Sequence, residues 1–127
     1  MGRLDHLIRV LIVEDEAIIA LDLESTLADA GVAEIEVTGS FEQAAQLIAA
    51  GRFDAAVLDL HLGPNVSTYD LAKALQTHGV PFIFSSGTVA VVEGFAEVPM
   101  VTKPFSDDQI IAALLEATAQ KCRIAAQ

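Results

Sequence analysis

Basic residues are scarce: seven Lys and Arg stand against 18 Asp and Glu, a net charge of −11, and they are scattered along the chain. A phosphate backbone would be repelled, so nucleic acid is not expected as a direct partner. The one cysteine, Cys122, leaves no internal disulfide. No apolar run approaches the roughly 18 to 20 residues of a membrane span and no signal peptide opens the sequence, so a soluble cytosolic protein without membrane contact is expected. A Gly-rich phosphate loop is missing, as are internal repeats and low-complexity segments. With 127 residues, 53% of them hydrophobic and 20% charged, the chain has the means to build one folded domain around its own core.

The apolar residues fall into short blocks. Arg9-Val10-Leu11-Ile12-Val13 and Ala55-Ala56-Val57-Leu58 run without alternation, as strands buried on both faces do. Val80-Pro81-Phe82-Ile83-Phe84 reads as another, its proline near the start where a missing donor is tolerated, and Val98 to Thr102 as the last. Glu34-Ile35-Glu36-Val37-Thr38 alternates polar and apolar, the pattern of an edge strand with one wet face. Helical spacing joins Ala20, Leu23, Leu27 and Ala30, closed by Gly31. A second helix starts at a capping box of Ser40 and Gln43 and runs through Ala50 to Gly51. A third covers Thr68 to Thr77, with Leu71, Ala74 and Leu75 inward and His78-Gly79 at its end. The last carries Ile110, Ile111, Leu114, Leu115 and Thr118 behind another capping box, Ser106 and Gln109. A short helix is also expected over Val89 to Phe95. Met1 to His6 reads as polar and loose, and Lys121 to Gln127 as a tail too short to be an effector domain.

Five strands alternating with five helices specify an α/β protein: a parallel sheet with helices on both faces and right-handed crossovers, in the flavodoxin-like order 2-1-3-4-5. The first and third strands then lie side by side at the switch point, where such sheets collect their ligands. Asp59 ends the third strand ahead of the Gly63-Pro64 turn, Glu14-Asp15-Glu16 follow the first, Ser85-Ser86-Gly87-Thr88 the fourth and Lys103-Pro104-Phe105 the fifth. Taken singly, these residues have plainer uses. Asp and Ser favour turns, Lys103 could serve a structural ion pair, and acids suit the positive end of a helix, the role assigned to Glu16. Glu14, Asp15, Asp59, Ser86 and Lys103 nevertheless converge from four strand ends. Clustered carboxylates repel unless a cation is bound, and oxygen-only ligation suits Mg2+. The set points to phosphoryl transfer, with Asp59 as a nucleophile forming an acyl phosphate, and the metal, Lys103 and the Ser86 hydroxyl each meeting an equatorial oxygen.

Glu14-Asp15, Asp59, Ser86-Gly87 and Lys103-Pro104-Phe105, placed at these strand ends, resemble the receiver domain of two-component response regulators, the CheY-like type, over essentially the whole chain. The stretches LIVEDE, PFIFSSG and KPF further resemble the stand-alone receivers of alphaproteobacteria called FAT GUY after their motif. The resemblance implies one receiver domain over 1–127, with a core of about 8–121 and no effector domain. It implies Asp59 as phosphoacceptor from the phosphohistidine of a sensor histidine kinase, Asp15 as a direct Mg2+ ligand, Glu14 as a ligand through water and the backbone carbonyl of His61 as a third contact. Ser86, with Gly87, would be the switch hydroxyl, Lys103 the phosphate-pairing ammonium, and the bond before Pro104 cis. Such a protein is no enzyme beyond its own phosphorylation and dephosphorylation. It signals by protein contact, hands the group to a histidine phosphotransfer partner, or acts as a phosphate sink.

Three features depart from the family pattern. Met100 stands where many receivers carry a Tyr or Phe that swings inward, Gly63 replaces the usual proline, and Val89 to Phe95 is short and apolar. Output is therefore expected through an apolar patch at Val91, Val92 and Phe95 together with the last strand and helix, ordered when Ser86 shifts Gly87-Thr88. A degenerate receiver serving as a binding module stays open as an alternative. So does a small aspartyl-phosphate phosphohydrolase, although no segment is available for a substrate-covering cap.

Overall fold

Blocks of β-branched and apolar residues form the strands, and Gly or capping side chains bound the helices between them. The computed structural model describes residues 2–62, 68–88 and 92–125, with backbone only from 120 onward. In chain order the elements are β1 (Arg9–Val13), α1 (Ala17–Asp29), β2 (Glu34–Thr38), α2 (Phe41–Ala50), β3 (Ala55–Asp59), α3 (Thr68–Thr77), β4 (Phe82–Ser86), β5 (Met100–Thr102) and α4 (Asp107–Ala125). All strand pairs are parallel, in the order β2-β1-β3-β4-β5, so the expected topology holds.

Alternation along the strands divides the core in two. Val10, Ile12, Ala55, Val57, Ile83 and Val101 face α1 and α4, where they meet Leu23, Leu27, Ile110 and Leu114. Leu11, Val13, Ala56, Leu58, Phe82 and Phe84 face α2 and α3, against Ile48, Leu71 and Leu75. Each fully buried side chain of this size is worth about 1.5–3 kcal/mol relative to exposure, so register is held firmly on both faces.

Helix ends follow local chemistry, with one variation. At α4 the capping box is reciprocal: Gln109 N donates to Ser106 Oγ at 3.2 Å, and Ser106 N to Gln109 Oε1 at 2.7 Å. At α2 it is half formed. Gln43 N donates to Ser40 Oγ, but the Gln43 side-chain oxygen is taken by the Thr38 hydroxyl at 2.6 Å, and that hydroxyl also accepts the Ser40 amide. Gly31 and Gly79, with φ of 107° and 70°, occupy the left-handed conformation that ends α1 and α3.

Several expectations need correction. Four helices are present among the described residues, and 92–98 are turns rather than part of a helix. Phe95 is 5% exposed and packs edge-on against Phe82, Phe84 and Tyr69, because the β4 rings need a cover that a helix would otherwise give. Its place in the apolar patch is therefore lost; Val92 is partly buried against the same cluster, and Val91, like Val89, Gly63 and Pro64, lies outside the described residues. The first residues are not loose. Leu4 and Leu7 are buried among α1 and α4 residues, Leu4 N donates to Ala30 O, Arg3 pairs with Asp108 and His6 meets Thr118. Finally, α4 continues through Ala125, beyond the expected end.

Candidate functional site

The carboxyl ends of β1, β3, β4 and β5 bring the site together. Asp59 is the last residue of β3 and only 1% exposed; its Oδ1 accepts the amide of His61 at 3.0 Å. Glu14, just past β1, is buried, with its own amide tied to Thr38 O of the neighbouring strand. Asp15 is exposed. Gly39 permits this arrangement, since a Cβ there would lie 3.0 Å from Asp15 Cα and 3.4 Å from its Cβ. No sequence expectation singled out Gly39; the signal available was a glycine directly after the edge strand, where the chain passes the β1 end.

Lys103 reaches in from the end of β5. Its Nζ lies 3.1 Å from Glu14 Oε2, 3.5 Å from Asp59 Oδ1 and 3.4 Å from Glu16 Oε1. Glu16 was assigned to the helix dipole; it is the N-cap of α1 without a side-chain cap bond, and its carboxylate turns to the ammonium instead. An ion pair between residues so far apart in the chain leaves no local trace. The Lys103–Pro104 bond is cis, and the Lys103 amide donates to Ser86 O at 2.7 Å. Ser86 is fully buried and its Oγ accepts the Thr88 amide at 3.2 Å, whereas Gly87 faces open space. Met100 pairs in register with Phe84 and packs against the α2/α3 face of the core. The structure thus gathers Glu14, Asp15, Asp59 and Lys103, and sets Ser86 on the adjoining strand.

Burial and the crowding of like charges shape the electrostatics of the site. The Glu14 carboxyl is pushed up to about 7: burial does most, the Glu16 amide pulls it back, and the charge of Asp59 raises it further against the pull of Lys103. Burial, the largest influence on Lys103, lowers it, but the hydrogen bond it donates to Glu14 and the charges of Asp59, Glu14 and Glu16 leave it raised overall. Oxygens of Glu14, Asp15 and Asp59 lie within 4.8 Å of one another. Glu14 Oε2 is close to Lys103 yet lacks hydrogen-bonding geometry, leaving a buried acceptor unsatisfied. Three hard oxygen donors, one of them orphaned, fit a Mg2+-type cation. A groove of about 390 Å³ lies elsewhere, between β5 and α4, lined by residues such as Met100, Thr102, Gln109 and Glu116. It holds none of these carboxylates, so the acidic cluster and the groove are separate features.

Fold and site together define a class, and the comparisons agree. Residues 10–115 match the response regulator receiver domain, and the chain belongs to that family. It is 31% identical over 111 residues to the cell cycle response regulator CtrA of Brucella ovis, covering 82% of this chain and 47% of that protein. The chain therefore spans about half the length of the curated relatives it matches. Among solved structures, the response regulator receiver protein from Sinorhizobium medicae WSM419 superposes with a TM-score of 0.80 at 26% identity, covering 90% of this chain and 96% of that one. SdrG from Sphingomonas melonis Fr1 superposes with a TM-score of 0.71 at 32% identity, covering 91% and 99%. No helix among the described residues is long and apolar enough to cross a membrane.

Proposed function

We propose that this receiver accepts a phosphoryl group on Asp59 from the phosphohistidine of a sensor histidine kinase. The observation that carries the reading is the buried Asp59 flanked by Glu14 and Asp15, with the Lys103 ammonium 3.5 Å from its Oδ1. A carboxylate oxygen of Asp59 attacks phosphorus; the P–O bond forms as the P–N bond to imidazole breaks, and the imidazole keeps the electron pair and is reprotonated. Lys103 exchanges its carboxylate partners for a phosphoryl oxygen, and Ser86 gives up the Thr88 amide to donate to another. Glu14, Asp15, Asp59 and the backbone carbonyl of His61 would hold Mg2+, which supplies charge neutralisation for the transferring group. As a receiver of the FAT GUY type acting in the cytoplasm, the protein then works through protein contact, relays to a histidine phosphotransfer partner or drains phosphate.

The deciding measurement is intact mass after incubation with acetyl phosphate and Mg2+. One hydrolysable phosphoryl addition that is lost in Asp59→Asn is the expected result. No addition would make the protein a degenerate receiver, and turnover of a small phosphoester would make it a phosphohydrolase.

A further inference from the structure

Two consecutive hydroxyls end β4, and they are used differently. Ser86 Oγ is engaged by the Thr88 amide. Ser85 is fully buried, and its Oγ has no hydrogen-bond partner among the described residues. A buried hydroxyl without a partner is destabilising, since it lost its water and gained nothing. An alanine would suit a strand position packed on both sides, so the hydroxyl needs an account.

Its position supplies one. Ser85 is the register partner of Asp59 on the neighbouring strand, and strands in a sheet lie about 4.8 Å apart. Val57 and Ile83 both face α1 and α4, and strand alternation puts Asp59 and Ser85 on that same face, two residues further along. In the resting protein Asp59 Oδ1 accepts the His61 amide and lies 3.5 Å from the Lys103 ammonium, and Ser85 Oγ makes no hydrogen bond to it. We propose that Ser85 donates a hydrogen bond to the carboxyl of Asp59 once that residue carries a phosphoryl group. When Lys103 turns from Asp59 to the phosphoryl oxygens, the Asp59 carboxyl loses one partner that Ser85 can replace. Ser85 keeps its proton throughout and makes or breaks no covalent bond. Because its bond exists in one state and not the other, it favours the phosphorylated form without adding to the resting fold. The inference rests on the phosphoacceptor reading of Asp59.

The test compares wild type, Ser85→Ala and Ser85→Cys in two measurements: thermal melting without ligand, and calorimetric titration with beryllofluoride in excess Mg2+. Ser85→Ala should melt at the wild-type temperature or above it, yet bind beryllofluoride about five- to tenfold more weakly, the size of one hydrogen bond. Ser85→Cys, with a weaker donor on a similar frame, should fall between. Unchanged affinity in Ser85→Ala, with wild type binding normally, overturns the proposal and leaves Ser85 a packing residue. A lowered resting melting temperature in Ser85→Ala overturns it too, because the hydroxyl then serves the resting fold. If wild type itself takes up neither beryllofluoride nor phosphoryl, the phosphoacceptor reading falls first, and the Ser85 proposal falls with it.

Discussion

The two faces of the sheet are closed by different means. One is covered by α1 and α4, two long helices joined by the buried Leu4 and Leu7. On the other, α2 and α3 cover part of the sheet, and the β4 rings Phe82 and Phe84 are closed by Phe95 from a turn segment. Backbone bonds in and beside that segment run from Phe95 to Val92, Val98 to Phe95 and Phe84 to Pro99. Alternation places Asp59 on the helix-closed face, and Ser86 with Met100 on the ring-closed one. Asp59 therefore sits over the layer closed by two helices, while Ser86 borders the layer with less regular cover.

Removing the ring is the strongest way to break this contrast. Phe95→Ala should destabilise the protein by about 3–5 kcal/mol in urea unfolding, the range for a buried aromatic, since the ring packs on Phe82, Phe84 and Tyr69. A loss below about 1 kcal/mol would mean that the ring is not the cover of that face.

A pH series tests the helix-closed face next. Glu14 has a folded value of about 7 against an ordinary 4.5, so its protonated form is the one that the fold prefers. Its contribution is fully present below about pH 4.5 and is lost as pH rises through about 7. Without metal, wild type should lose melting temperature between about pH 5 and pH 8 relative to Glu14→Gln, and Mg2+ should restore most of the loss. Parallel curves for the two proteins would place no strain at Glu14.

Hydrogen exchange sharpens the contrast in the signalling direction. Beryllofluoride should alter protection at 87–88 and 92–98 by about tenfold or less, the scale of the one Ser86–Thr88 bond, and leave α1 unchanged. An equal change on both faces would erase the distinction. The smallest effect belongs to Glu16, whose side chain is 62% exposed beside Lys103. Glu16→Gln should change stability by no more than about 1 kcal/mol, read from the same urea curves.

Sequence pattern carried most of the fold because its signals are local. Val10 to Val13 and Ala55 to Leu58 are buried strands by composition, and Gly31 and Gly79 mark helix ends by conformation. The failures all depend on distant partners. Val89 to Phe95 has an apolar content that suits a short helix, but the rings that claim Phe95 belong to Tyr69, Phe82 and Phe84. Leu4 and Leu7 stand among polar residues and become core through α4, at the other end of the chain. Likewise, the site carboxylates were legible because each ends a strand, while Glu16 obeyed a helix rule until Lys103, 87 residues away, claimed it. Ser85 was passed over for the same reason: its significance comes from the strand beside it.

The Leu4–Leu7 turn also bears on the order in which the domain can assemble. Leu4 and Leu7 share one cluster with Ile110, Leu114 and Ala117 as well as with α1, so their cover is complete only once α4 is in place. Contacts of such wide sequence separation slow folding, because the whole intervening chain must be looped before they form. As the chain emerges from the ribosome, Val10 and Ile12 can pair with β2 and β3 and α1 can cover part of the face they share with Leu4, but that cover is complete only when residues beyond Asp107 arrive. A nascent chain stopped before Asp107 is expected to bind chaperones through that face and to be cleaved readily, whereas one carried through α4 closes both ends of the domain in a single step.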